Sequence, residues 1–475
     1  MQAIKFNKRL LSYILITSQN CGLFVCCFLI ATLIEPKVFT KFFSAISLQT
    51  VENSPDILDK AGYYYDVAAY ANMVIKDQCH AFYPMLSWLV RYLFNPQIFE
   101  QAVIGLKVIS CICFIAGIPL IFKLFLSISQ NSKLAYFLTL LYTASPMAIF
   151  RVIGYTEGIF ALLSVVLLLI INSILDNPKT NQYVIYSFAF LTVVVMSLTR
   201  PVSLQLIFAA CTSLITIILI EKAKTKLSWQ ELLQNNQYRY QNLSFLSLTI
   251  TIATIIGYSF YGYLCLQSRG DFFAPFNDQK LWGKAIGFYP KIFLSLEYPL
   301  FEQMSLYFPL ILILGVIICL YSFINSENIN FHQIKIFVPP LPLFWCLISL
   351  YPSILILVYI STYLIYFINK RNKLNLFSIN LANSSKAQKL LTNYTFWFCL
   401  YFVLSHILIN LLTVDKLYSL ARFTFSLPFF FVVLAYILRN FKAKDIDYIL
   451  KWFLLVGTIA LIEQWVRYGQ NLWLG

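Results

Sequence analysis

Thirteen apolar runs long enough to span a bilayer set the fold of this 475-residue chain. They fall at about 12–34, 101–126, 134–150, 157–175, 183–199, 202–220, 244–266, 303–324, 336–350, 353–369, 393–413, 418–438 and 448–466. The stretch 336–369 carries Pro339, Pro340, Pro342 and Pro352, and it divides at Tyr351-Pro352 because proline breaks a helix. Hydrophobic residues make up 60% of the chain and charged residues only 12%, more apolar surface than a soluble fold can hide. The expected fold is an all-α polytopic membrane protein with about 13 transmembrane helices, one integral domain over residues 1–475. A long first outer loop with interfacial helices spans 35–100, and a second large outer loop spans 267–302. The first run follows Lys5, Lys8 and Arg9, is too long for a signal-peptide core and lacks a small-residue cleavage site, so it reads as an uncleaved span.

Charge gives these runs a direction. With the N-terminus in the cytoplasm, the cytoplasmic segments hold 20 Lys/Arg against 6 Asp/Glu, and the opposite side holds 15 against 14. That asymmetry follows the positive-inside rule, so the net charge of +15 needs no nucleic-acid partner. Ten of the eleven cysteines lie in apolar runs, where a thiol is a small hydrophobe; Cys79 alone lies in a loop. No CxxC pairing occurs, and His80, His332 and His406 are scattered, so neither a disulfide framework nor a metal cluster is expected.

The outer face gathers the unusual polar residues. Asp59 and Asp66 flank the aromatic run Tyr63, Tyr64, Tyr65, and a helix over 59–72 would put both carboxylates on one face. Carboxylates with aromatic rings suit a sugar: acids accept hydroxyl hydrogen bonds and rings cover its apolar face. A carboxylate can also act as general base. Asp77 and His80 follow, then Phe82, Tyr83 and Arg91 in a short apolar segment suited to the interface. Arg151 and Glu157 flank a turn and are expected either to pair or to face a ligand. Arg200 and Arg422 each stand at the outer edge of a span, and with Arg91 they form a ring of cations suited to a lipid-linked phosphate. Asp271, Gln279 and Trp282 complete the set in a Gly/Pro turn region.

In order along the chain these elements resemble the motifs of GT-C membrane glycosyltransferases. Asp59-Lys60-Ala61-Gly62-Tyr63-Tyr64-Tyr65-Asp66-Val67-Ala68 and then Ala81-Phe82-Tyr83-Pro84-Met85 are similar to the first-outer-loop motifs. Ser145-Pro146 with Tyr155-Thr156-Glu157, then Thr199-Arg200, Gly270-Asp271-Phe272-Phe273-Ala274 with Gln279 and Trp282, and Ser419-Leu420-Ala421-Arg422-Phe423 with Pro428 follow. The set covers 59–428 and is most similar to the GPI mannosyltransferase 2 (PIG-V) family and its bacterial relatives. Leu58 stands where those motifs carry Trp, Asp59 sits one residue farther from the tyrosines, and Ala71-Asn72 replaces Gly-Tyr.

The resemblance implies an inverting hexosyltransferase, first of all a mannosyltransferase. It would move a sugar from a polyprenyl- or dolichyl-phosphate donor to a lipid or glycan acceptor on the non-cytoplasmic face. Asp59 matches the catalytic base by motif, and Asp66, deeper in the aromatic run, is the alternative. No cofactor is assigned; the outer-face acids would admit a divalent cation, but no spacing demands one. The rivals are a lipid or solute transporter, for which Lys107 and His406 are the mid-depth candidates, and a non-catalytic subunit of a glycosylation complex. The expected location is a bacterial inner membrane, with the endoplasmic reticulum membrane as the alternative.

Overall fold

The computed structural model describes residues 2–43, 66–76, 81–176, 182–225, 227–235, 237–293, 300–324, 389–414, 417, 419–439, 443–472 and 474. Among them all regular structure is helical. The first half holds α1 (Gln2–Ile34), α2 (Lys37–Phe42), α3 (Asp66–Lys76), α4 (Met85–Phe94), α5 (Phe99–Ser129), α6 (Ser132–Thr143), a 3-10 turn (Pro146–Arg151), α7 (Glu157–Asp176) and α8 (Gln182–Ser197). The second holds α9 (Ser203–Thr225), α10 (Trp229–Asn235), α11 (Gln237–Arg269), α12 (Ala274–Asn277), α13 (Leu300–Ile324), α14 (Tyr394–Thr413), α15 (Leu420–Phe425), α16 (Pro428–Leu438) and α17 (Ala443–Gly469).

Six of the described helices are long and apolar enough to cross a membrane: α1, α5, α7, α9, α11 and α14. Shorter apolar helices, among them α4, α8 and α16, accompany them. The helices carry exposed apolar side chains such as Leu29 and Leu33 on α1, Ile112 and Ile115 on α5, and Ile255 and Ile256 on α11. Such a surface suits lipid rather than water. The chain is therefore a membrane-embedded helical protein. The proline-rich region 336–369 lies outside the described residues.

Local chemistry fixes the helix ends. Asn131 caps α6 by accepting from the amides of Lys133 and Leu134, and Asn393 caps α14 by accepting from Phe396. Two of the expected spans are broken, each before a proline. The run 134–150 forms α6 and then stops; Ser145 is extended (φ −64°, ψ 149°) ahead of Pro146, which opens the 3-10 turn. The run 418–438 forms α15 and α16, with Leu427 extended (φ −102°, ψ 155°) ahead of Pro428. Both breaks turn an arginine into the protein: Arg151 ends the 3-10 turn and Arg422 lies in α15, and both are buried.

Polar contacts sort the loops into two ends. At one end Lys133 pairs with Asp447, and Arg239 pairs with Glu221 and donates to the Thr392 carbonyl at 2.7 Å. At the other, Asp66, Glu157, Arg200 and Arg422 meet. The long helices pack as α5 on α6 and α7, α11 on α8 and α9, α14 on α9 and α16, and α1 on α17.

Candidate functional site

Glu157 stands at the centre of the charged end. It opens α7 and is fully buried. Its position depends on two glycines. Gly154 has φ +94°, a conformation that side chains rarely adopt. A Cβ at Gly158 would meet the Arg151 carbonyl oxygen at 2.7 Å and the Ser110 carbonyl oxygen at 3.0 Å. Only glycine lets the first turn of α7 seat this closely against α5.

Glu157 Oε1 takes two arginines. Arg422 donates through Nε, and Arg200 Nη1 stands 2.6 Å away. Arg422 also donates through Nη1 to Asp66 Oδ2 at 2.8 Å. Arg200 comes from the turn between α8 and α9, Arg422 from α15, and Asp66 from the first turn of α3. Rings pack around the guanidinium groups. Arg422 lies over Tyr155 (4.3 Å) and Phe150 (5.0 Å), and Arg200 over Phe423 (4.6 Å). Burial opposes charge on Arg422, but Glu157 and Asp66 outweigh it and hold its pKa well above the ordinary value. Glu157 and Arg200 are sealed in, whereas the Asp66 side chain is 24% exposed, so the network opens towards Asp66.

Aromatic residues extend the site. The Tyr70 hydroxyl lies 3.3 Å from Thr156 Oγ1, and its ring meets Phe82 edge-on at 5.1 Å. Burial pushes the Tyr70 phenol up, with Asp66 and then Glu157 adding to the effect. Tyr261 donates to the Phe82 carbonyl at 2.7 Å, and Tyr83 packs against the Tyr261 ring. The Met85 amide donates to the Leu198 carbonyl at 3.0 Å, which ties the 81–85 segment to the turn of Arg200.

A third cation enters from the loop between α11 and α13. The amides of Ala285, Gly287 and Tyr289 donate to the carbonyls of Thr413, Leu412 and Leu411, so an extended segment closes the end of α14. Lys284 immediately precedes it, half-buried, with Nζ 2.9 Å from Gln279 Oε1. Burial lowers the Lys284 pKa, and the charges of Arg200 and Arg422 lower it further. Both guanidinium charges are thus felt at Lys284.

Other residues singled out by sequence lie apart. Asp271 folds its own turn, accepting from the Phe273 amide (2.8 Å) and Asn277 Nδ2 (2.9 Å). Arg91 donates to the Ile75 carbonyl at the end of α3 at 3.3 Å. Trp282 ends the short 3-10 helix Asp278–Trp282. The pairing of Arg151 with Glu157 does not form: Arg151 donates to the Tyr142 carbonyl and to Ser145 Oγ and lies over the Tyr142 ring (3.8 Å). The 3-10 turn directs it back towards α6. Asp59, Tyr63, Tyr64, Asp77 and His80 lie outside the described residues, as does most of a helix over 59–72. Sequence gave no pairing for Cys265, which is disulfide-bonded, whereas Cys21, Cys26, Cys27, Cys111, Cys113, Cys211 and Cys399 are free. Among the described residues no three His, Cys, Asp or Glu side chains gather as a metal site.

Fold and site together define a class: a helical membrane protein with an arginine–carboxylate network at one end of its bundle. The chain matches no family model, no curated protein and no solved structure.

Proposed function

We propose that the chain is a membrane glycosyltransferase of the GT-C type, a mannosyltransferase in the first instance. It uses a polyprenyl- or dolichyl-phosphate sugar and a lipid or glycan acceptor at the non-cytoplasmic face. One observation carries this reading. Asp66, Glu157, Arg200 and Arg422 belong to four motifs spread over more than 350 residues, and they meet in one ion-pair network. Phe82 and Gln279, from the other two motifs, reach its edge through Tyr70 and Lys284.

The chemistry follows from the charges. Arg422, Arg200 and Lys284 bind the donor phosphate and stabilise the charge it gains as the bond from C1 to the phosphate oxygen breaks. The acceptor oxygen bonds to C1 from the opposite face. Its proton passes to an outer-loop carboxylate, and the lipid phosphate leaves with the bonding electrons. Asp59 holds the base role by resemblance. Asp66 is the other candidate, and its position beside Arg422 brings a carboxylate to the cationic site. Tyr70 and Phe82 form an aromatic wall for the sugar. A disulfide at Cys265, near the Tyr83–Tyr261 contact, suits an oxidising compartment on this side.

A transporter would need polar groups along the depth of the bundle. The two mid-depth candidates give it little support. Lys107 is taken up by the Lys41 and Phe42 carbonyls, and His406 packs on Phe423 beside the network.

The test is transfer of labelled sugar from polyprenyl-phosphate-mannose, with polyprenyl-phosphate-glucose alongside, in membranes holding wild type, Arg422→Lys or Lys284→Met. Wild type should transfer from one donor. Both variants should raise the donor KM, with Arg422→Lys the more damaging because lysine cannot serve Glu157 and Asp66 together. Folded wild type that transfers neither sugar would remove the reading.

A further inference from the structure

Glu302 is the buried acid that the proposed chemistry leaves unused. It sits in the first turn of α13 with 2% exposure and pairs with no cation among the described residues. Its partner is a backbone amide. Oε2 accepts from the Ala421 amide at 2.8 Å. This donor lies more than 100 residues later in the chain, directly after the amides of Ser419 and Leu420. The amides belong to a strained turn: Ser419 has φ +60°, a left-handed conformation that a non-glycine residue adopts at a cost. Arg422 follows immediately, and below the turn Leu420 packs with Leu306, Ile407 and Leu417.

We infer that Glu302 is a positioning residue: by gripping the Ala421 amide it fixes the turn over 419–421 that aims Arg422 at Glu157 and Asp66. Arg422 has little other anchorage towards its own N-terminal side, because a helix of six residues supplies few internal bonds. The strain at Ser419 is held by this bond and by the leucine cluster. Loss of reach at Glu302 would release the turn and let the guanidinium drift, which a precisely aimed charge contact tolerates poorly. The required property is an acceptor oxygen at the right distance, rather than negative charge.

That distinction supplies the experiment. For the transfer reaction the inference rests on the proposed function. Glu302→Gln keeps the reach and an acceptor oxygen, and Glu302→Asp keeps the charge but is one methylene shorter. Positioning gives kcat/KM within about twofold of wild type for Gln and lowered about tenfold or more for Asp. In an Arg422→Lys background the Asp substitution should cost little further, because the residue it positions is already altered. A better-tolerated Asp than Gln, or full additivity with Arg422→Lys, would overturn the inference. A second readout needs no donor. Hydrogen exchange of the amides over 419–421 should stay slow in wild type and Glu302→Gln and quicken in Glu302→Asp. Unchanged exchange in both variants would overturn the role of Glu302 even where transfer is robust. Wild type without transfer but with this exchange pattern would refute the glycosyltransferase reading and leave the grip on the turn standing.

Discussion

Two groups of buried cations lie in the same half of the molecule and are neutralised in opposite ways. Arg200 and Arg422 meet carboxylates: Glu157 between them and Asp66 at the rim. Lys41, Lys107 and Arg151 meet carbonyls. Lys107 donates to the Lys41 and Phe42 carbonyls at 3.2 and 3.0 Å and so closes α2. Lys41 donates to the Tyr468 carbonyl at 2.7 Å and to Asn471 at the end of α17. Arg151 closes α6 through the Tyr142 carbonyl. Helix C-termini present carbonyls with no partner in their own helix and carry partial negative charge, so a cation there is a structural tie. A carboxylate brings a full charge of its own, and a ligand anion can compete for the same arginine. The first group can take part in binding; the second holds the helices around it.

The comparison breaks most sharply at Glu157. Glu157→Gln leaves two buried guanidinium groups facing a neutral amide. Removing one partner of a buried ion pair costs about 3–5 kcal/mol. The variant should melt far below wild type in detergent and transfer no sugar. A melting temperature close to that of wild type would show that the network is not the keystone of this end.

Asp66 and Asp59 come next, because they separate binding from chemistry. The Asn variant of the base should lose about 10²–10⁴-fold in transfer rate. Asp66→Asn should change stability by only about 1 kcal/mol, since its carboxylate is partly solvated. If Asp59→Asn abolishes transfer and Asp66→Asn mainly raises the donor KM, Asp59 is the base and Asp66 sets the cationic site. The reverse pattern moves the base to Asp66.

How far these residues could be read from sequence depends on their surroundings. A carboxylate or arginine at the edge of an apolar run is costly, so Glu157, Arg200 and Arg422 stand out without a structure. The helical membrane class is legible for the same reason, since long apolar runs allow few alternatives. Lys284 and Glu302 were not legible. A lysine in a polar loop and an acid in the first turn of a helix are ordinary, and only the tertiary fold brings one within the field of the arginines and the other onto the 419–421 turn. Arg151 misled because six residues from Glu157 suggests proximity, while the 3-10 turn after Pro146 sends its side chain the other way. Cys265 gave no signal because one cysteine in an apolar run reads as a small hydrophobe.

A smaller effect is expected where the tie is a carbonyl. Arg151→Met removes the bonds to Tyr142 and Ser145 Oγ and the stacking on the Tyr142 ring, but keeps much of the side-chain volume. Stability should fall by about 1–3 kcal/mol. The transfer rate per folded molecule should stay within about twofold of wild type, because Arg151 has no part in the carboxylate network. A large loss of transfer with an unchanged melting temperature would erase the division between the two groups.

The last expected effect is in pH, at Lys41. Burial lowers its pKa from 10.5 to about 8. A lysine held below its unfolded value binds fewer protons in the folded chain than in the unfolded chain between those two pH values. Stability then rises with pH through that window. Below about pH 8 the folded state bears the whole cost of keeping the buried ammonium charged; near pH 10.5 that cost has been relieved. Thermal melts in detergent from pH 7 to pH 10 should therefore show an upward component that Lys41→Met removes, while Arg151→Met leaves it in place. The rise marks the carbonyl-held group as a set of ties that hold without needing full charge. An identical slope in wild type and Lys41→Met would mean that the buried lysine pays no such cost and that its carbonyl partners compensate its charge as fully as carboxylates do.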